Sequence, residues 1–438
     1  MLEYQIFFKT KTKNLFDQAS QYLKGLFQSD KRNMERMVET VANSNYERIQ
    51  HFISSSPWDA RAVMDKVAKN TSMAFRNFNR VGLVIDESGH GKKGEKSVGV
   101  ARQYNGNKGK VDNCQVGVYA ALCTGEHYSL VGSRLYLPKE WTDDPSRCRD
   151  AGIPEENMVF KTKQELALDM IVSLRKLGAL FDFVDGDGLY GNDSKLADAL
   201  DLMGEIFILE VHSNQKIYLE EPSISIPPST GKRGRKASLP KSKQQTIEVR
   251  QYLANVLLSY WKEFTIRDTT KGFLKCLALV RKVWIWDGVS AEAKERLLVV
   301  RKTRTPNGVE IKYALTNAKE TNYSWLELVQ MQSQRYFIER AFQESKQELG
   351  MSQYQVRGWL AWHHHMAMVM MAQEFSLREK LLCKEVYPLL STRDIRELLT
   401  IKLATKKKTM ADVLAQIFKR HRKRKEASDN FHQNNLLI

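Results

Sequence analysis

The stretch from Val81 to Gly99, VGLVIDESGHGKKGEKSVG, begins as an apolar β-branched run and then breaks into glycine and lysine. It is either a nucleotide-binding loop or a strand that presents a carboxylate, and the fold turns on which. The residues Gly89 to Gly94, GHGKKG, satisfy GxGxxG after a strand. A dinucleotide loop, however, opens an amphipathic helix whose N-terminus receives the pyrophosphate, whereas EKSVGVARQYNGNKGK carries Gly99, Gly106 and Gly109 and no helical apolar stripe. A P-loop fails as well, because Glu95 follows Gly94 where the phosphate-reaching amine should stand. What remains is Asp86 at the end of a buried strand, followed by a lysine-rich turn, with Lys92 and Lys93, suited to a phosphate backbone.

A second aspartate strand lies downstream in FDFVDGDGLYG, residues 181 to 191. Period-two alternation puts Phe181, Phe183, Asp185 and Asp187 on one face and Asp182 on the other, so one or both of Asp185 and Asp187 can join Asp86. Two carboxylates a few ångströms apart repel by about 1 to 4 kcal/mol at ordinary effective dielectrics, which points to a bound cation. Oxygen-only donors favour Mg²⁺ or Mn²⁺. A third acid comes from a late helix containing RYFIERAFQESK, where the turn of about 100° per residue selects among the glutamates. Relative to Glu339, Arg335 lies about 40° and Lys346 about 20° away, whereas Glu344 and Glu348 are rotated by about 140° and 180°. The same spacing also describes a solvated i to i+4 ion pair between Arg335 and Glu339.

Around these residues the chain reads as α/β. Helical spacing of Leu15, Leu23, Met37, Val41, Ile49 and Phe52 predicts a helical N-terminal region. Strands are expected at 81–88, 114–122 and 127–138, a helix at 162–178, and strands again at 181–191 and 205–212. From 213 to about 321 the pattern turns β-rich, interrupted by the basic loop GKRGRK (231–236). Helices resume near Trp325 and end in the basic run KRHRKRK (419–425).

With 68 Lys and Arg against 51 Asp and Glu, the 438-residue chain has a formal charge of +17, which favours a polyanionic partner. No apolar run approaches the roughly 20 residues that span a bilayer, so a membrane is excluded and nucleic acid leads. The five cysteines form no close pair, which argues against a zinc ribbon or a disulfide framework and for a cytoplasmic setting. Three successive histidines, His363 to His365, point about 100° apart on a helix and do not converge on one ion, so they are read as structural or DNA-facing.

VIDES, DGDGLYG and RYFIERAFQESK, in this order and context, resemble the DDE transposases of bacterial insertion sequences, which share an RNase H-like core. The resemblance covers most of the chain and assigns Asp86, Asp187 and Glu339 as the catalytic, metal-holding acids. One branch has the signature Tyr, two residues, Arg, three residues, Glu, six residues, Lys; Arg335, Glu339 and Lys346 fit it, while the tyrosine position falls on Gln332 and Tyr336 lies one turn late. The resemblance implies an RNase H-like mixed sheet flanked by helices and interrupted by a β-rich insertion, with helical N- and C-terminal regions. The expected divisions are a helical DNA-binding domain over 1–79, the core over 80–212 and 322–380, the insertion over 213–321, and a basic helical region over 381–438.

The implied reaction is metal-dependent phosphoryl transfer with two ions: water cuts each transposon end, and the freed 3′-hydroxyl then attacks target DNA. Arg335, Lys346, Lys92, Lys93, Arg233 and Arg235 are the expected DNA contacts, and a homodimer is expected because two inverted-repeat ends must be paired. Relatives in the branch pass through a hairpin and stack a flipped base on an aromatic residue, for which Trp284, Trp286 and Trp325 are available; core packing is the plainer role for any one of them. Two competing readings are a domesticated, non-cleaving DNA-binding protein and a stand-alone RNase H-like nuclease.

Overall fold

A computed structural model describes the chain apart from residues 107, 228–238, 270, 271, 408 and 436–438, with residues 431–435 as backbone only. The N-terminal region is helical: α1 (Phe16–Gln28), α2 (Met34–Thr40), α3 (Tyr46–Ser54) and α4 (Ala60–Phe75). The side chains of Asn33, Asn45 and Asp59 accept from the first-turn N–H groups of α2, α3 and α4, which fixes three of the four starts.

Next come β1 (Gly82–Gly91), β2 (Ala101–Asn105), β3 (Lys110–Thr124) and β4 (His127–Leu135), then α5 (Lys163–Lys176), β5 (Phe183–Gly186), α6 (Ser194–Leu202) and β6 (Phe207–Glu210). Helix α5 starts with a capping box between Thr162 and Glu165, the signal its sequence carries. In the sheet β1 runs antiparallel to β3, and β3 is antiparallel to β2 and β4 along different parts of its length. On the other side of β1, β5 and β6 run parallel to it. This is an RNase H-like mixed sheet. Leu83 and Ile85 pack with Met170 and Ile171 of α5, while Val84, Tyr119 and Ala121 face the late helices. Because β3 is covered on both faces, its run from Cys114 to Thr124 is buried throughout rather than alternating.

One expectation is corrected here. Strand β1 does not break at Gly89, because Gly89, His90 and Gly91 continue the ladder opposite Val116, Gln115 and Cys114, and the turn begins only at Lys92. The long partner strand β3 supplies the extra pairing, and His90 is drawn in by its Nε2, 3.0 Å from the Tyr119 hydroxyl.

The segment after β6 adds β7 (Lys262–Thr269), β8 (Gly272–Ile285), β9 (Lys294–Thr305) and β10 (Gly308–Thr316), paired in succession as antiparallel hairpins. Ala314 to Thr316 of β10 pair with Glu210 to Ile208 of β6, so these strands extend the core sheet instead of forming a separate one. Strands β2 and β7 have no counterpart among the sequence-based expectations. Both are short or polar, and only their hydrogen-bonded neighbours make them strands.

Three helices close the core: α7 (Trp325–Ser333), α8 (Arg335–Gln347) and α9 (Trp359–Leu382). After α8 the chain turns at Gly350, whose φ of +70° suits glycine, and whose missing Cβ leaves room for Arg32 of the N-terminal region. Helix α9 is apolar on nearly every side, and its Trp362, Met366 and Met370 share one hydrophobic cluster with Tyr22, Phe52 and Val67. The N-terminal helices therefore pack into the same body as the core and enclose no separate core. The C-terminal α10 (Thr392–Lys402) and α11 (Met410–Asn435) follow, held to the N-terminal region by a bridge between Val41 and Thr405. Among the described residues, no helix is long and apolar enough to cross a membrane, and the five cysteines are unpaired.

Candidate active site

The parallel register of β1 and β5 sets the site. Val84 is opposite Asp185 and Ile85 opposite Gly186, so Asp86 and Asp187 are the next positions on adjacent strands, whose backbones run about 4.8 Å apart. The Asp86 carboxylate accepts from the Glu87 N–H at 2.8 Å. Asp187 leaves the strand as the cap of a single helical turn, Gly188–Gly191, its Oδ1 accepting from the Leu189 N–H at 3.0 Å. That turn is pinned twice. The buried Tyr190 donates its hydroxyl proton to Glu87 Oε2 at 3.1 Å, and a Cβ at Gly191 would lie 1.9 Å from the Glu210 carbonyl oxygen, so only glycine permits this approach. Glu87 in turn accepts from Lys163 at 2.9 Å.

Arg335 begins α8 directly over this strand end. Its Nη1 lies 3.4 Å from Asp86 Oδ2, its Nε 3.3 Å from Glu210 Oε2, and its Nη2 2.8 Å from Glu339 Oε1. The i to i+4 pair with Glu339 is therefore present, but the guanidinium is only 16% exposed and serves two further carboxylates, so it is no ordinary solvated pair. Glu339 itself is 50% exposed and joins the cluster through Arg335.

Burial pushes the Asp86 carboxyl up to about 8; Arg335 opposes the rise, and Asp187 and Glu87 add to it. Asp187 is raised by burial and by Glu87, again against Arg335. Asp185 is fully buried beside them, neither of its oxygens has a hydrogen-bond partner, and burial followed by Glu210 holds it well above the carboxylate range. Burial works against the charge of Arg335, but Glu210, Asp86, Glu339 and Asp187 outweigh it and keep the guanidinium firmly protonated. The donors are hard carboxylate oxygens crowded around one shared monocation, a set that suits divalent cations. Asp86, Asp187 and Glu339 are the acids whose oxygens could hold them, although no three metal-ligating side chains converge as they stand among the described residues.

The other expected residues fall into different places. Lys346 is within reach of the Asp86 charge: burial lowers its amine to about 8 while that charge opposes the fall. Lys92 turns inward, its Nζ 3.4 Å from the Tyr354 ring centroid and 3.2 Å from the Tyr354 carbonyl oxygen, and burial lowers it to about 7. Lys93 is exposed. Arg233 and Arg235 lie outside the described residues. Gln332, at the tyrosine position, is buried, while Tyr336 is 44% exposed with the Arg267 guanidinium 4.7 Å from its ring.

Trp325 lies under Lys262 and bonds Glu320, Trp284 is paired with Tyr218, and Trp286 donates to the Ser290 carbonyl beside a cavity of about 190 Å³ that also touches the Asp187 turn through Gly191 and Asn192. The three histidines are structural. His364 stacks on Trp58 and sits 2.9 Å from the carbonyls of Ile53 and Trp58, His365 lies 2.8 Å from the Tyr22 hydroxyl, and His363 bonds the Trp359 carbonyl.

Sequence reasoning passed over Glu87 and Glu210. The signal for Glu210 was available, a lone carboxylate ending the apolar strand FILE with the parity of Ile208.

A family model described as DDE superfamily endonuclease matches residues 7–272, a span that contains Asp86 and Asp187 and stops short of Glu339. Among curated proteins, the probable transposase for insertion sequence element IS701 of Microchaete diplosiphon is 29% identical over 190 residues, 43% of this chain and 46% of that protein. The match thus spans less than half of that relative's length. Among solved structures, the cryo-EM structure of a piggyBac transposase synaptic complex with hairpin DNA aligns with a TM-score of 0.39 and 12% identity, over 89% of this chain and 70% of the other.

Proposed function

Since the chain belongs to the DDE superfamily endonucleases, we propose that it is an insertion-sequence transposase that cuts the inverted-repeat ends of its element and joins them to target DNA. The observation that supports this reading is the meeting of Asp86, within β1, and Asp187, just past the end of β5, at neighbouring positions of adjacent strands, with Glu339 linked to Asp86 through Arg335. Asp86, Asp187 and Glu339 would hold Mg²⁺ or Mn²⁺, as two ions, which would supply activation of the attacking oxygen and charge stabilisation of the leaving one.

The chain's own residues do the rest. The cap at Asp187 and the Tyr190 and Lys163 contacts to Glu87 keep the two aspartates fixed relative to each other. Lys346, beside Asp86, and the outer edge of Arg335 grip the phosphates flanking the scissile bond. The exposed Lys93 and the basic runs at 231–236 and 419–425 follow the backbone of the duplex. Strands β7 to β10 form the insertion, residues 1–79 take part in DNA recognition, and two chains pair the two ends.

The test is to mix purified protein, Mg²⁺ and DNA carrying the element's own flanks. End cleavage followed by strand joining is expected, and Asp86→Ala, Asp187→Ala and Glu339→Ala are each expected to abolish both. Binding without cleavage would replace this reading with a domesticated DNA-binding protein. Cleavage without joining would replace it with a nuclease.

A further inference from the structure

Arg335 presents three edges to three carboxylates, yet only two of these acids, Asp86 and Glu339, belong to the metal-holding set. The third, Glu210, is fixed independently of it. Its strand is hydrogen-bonded to β10, its carbonyl oxygen packs on Gly191, and its Oε2 also accepts from Lys312 Nζ at 3.5 Å. The side chain is 12% exposed, so the contact with Arg335 Nε is a built one and no chance surface pair.

We propose that Glu210 is a positioning residue that tethers Arg335 by its Nε edge. The guanidinium then fills the acid cluster as a resident cation in the metal-free protein and gives up Asp86 and Glu339, but not Glu210, when divalent ions bind. A guanidinium and a dication compete for the same carboxylate oxygens, and a side chain held on its far edge can release the near ones without leaving the site. Without Glu210, Arg335 settles fully on Asp86 and Glu339 and blocks the ions.

This inference rests on reading Asp86, Asp187 and Glu339 as the metal-holding acids, and its test needs neither DNA nor turnover. Mn²⁺ binding to the full chain is followed by the loss of the free-ion electron paramagnetic resonance signal, with folding checked by circular dichroism. Arg335→Gln is expected to tighten Mn²⁺ binding and Glu210→Gln to weaken it, each by about tenfold, and Glu210→Gln is expected to change nothing further in the Arg335→Gln background. Equal weakening by Glu210→Gln in both backgrounds would show Glu210 acting as a bare charge and overturn the proposal, as would no weakening in either. If Glu210→Gln does not fold, Arg335→Lys carries the test. Lysine keeps the charge but cannot hold three edges at once, so tighter binding is expected and unchanged or weaker binding overturns the proposal. Unaltered Mn²⁺ binding in Asp86→Asn is a separate outcome, which sinks the metal-site reading itself.

Discussion

Among the described residues, the histidines of α9 and the acids around Arg335 are both residue types that ligate metals, and the two groups are built in opposite ways, though neither converges as a ready-made metal site. His363, His364 and His365 occupy consecutive positions on α9, and each finds a carbonyl, a hydroxyl or an aromatic face belonging to the surrounding helices. The acids come from β1, β5, β6 and α8, lie far apart in the chain, and crowd around a single guanidinium, while Asp185 keeps both oxygens unpartnered. His364, with both ring nitrogens at backbone carbonyls, is holding the fold together, even though the neighbouring His365 leaves its Nε2 buried without a partner. A cluster that crowds buried acids until their carboxyls are raised above the usual range carries the mark of a functional site.

Substituting the acids is the sharpest way to break this comparison. Asp86→Asn and Asp187→Asn are expected to cut end cleavage by about 10³-fold or more, while the melting temperature in metal-free buffer stays level or rises, because repulsion is relieved. A fall in melting temperature with cleavage intact would put the acids on the structural side. The converse substitution is His364→Ala, which removes the carbonyl contacts and the Trp58 stack. Its expected cost is about 2 to 4 kcal/mol in denaturant unfolding, with cleavage per folded molecule unchanged.

The two clusters also tilt stability with pH in opposite directions. Asp86 is raised to about 8 in the folded chain, so the native state binds more protons than the unfolded one between about pH 4 and 8, and stability falls as pH rises through that window. His365 is lowered to about 3 and His363 to about 4 by burial, so their contribution is complete above the ordinary histidine range and is lost as pH falls from there toward those values. In metal-free denaturant titrations, Asp86→Asn is expected to remove a falling slope of up to about 1.4 kcal/mol per pH unit between about pH 4 and 8. His365→Gln is expected to flatten the acid side. The smallest effect is expected at Lys93, which is exposed and contacts no acid cluster. Lys93→Ala should weaken DNA binding uniformly across sequences and lower the salt slope by about one, measured by fluorescence anisotropy at several salt concentrations.

Much of this contrast was legible in the amino-acid sequence, for identifiable reasons. Asp86 follows the apolar run of β1 and Asp187 the short strand β5, and period-two parity puts Asp187 on the face of Phe183, so their meeting needed only that the two strands be neighbours. The histidines could be set aside because consecutive helical residues diverge. The local pattern marks Glu210 as a lone carboxylate ending an apolar strand, but its contact with Arg335 was not readable, since it depends on a parallel pairing of β5 and β6 that no local pattern encodes. The extension of β1 through Gly91 was hidden for the same reason: a glycine, a histidine and another glycine make a strand only because the long strand β3 lies beside them. Strand β2 and strand β7 likewise owe their conformation to partners rather than to their own composition.

The pairing of Ala314 to Thr316 with Ile208 to Glu210 has a practical consequence for anyone wishing to trim the molecule. Excising the hairpins beyond β6 would not leave a tidy minimal nuclease. It would bare the amide rim of a fully buried strand, an adhesive seam that invites chain-to-chain stacking, and the truncated product should be sought in the insoluble fraction first.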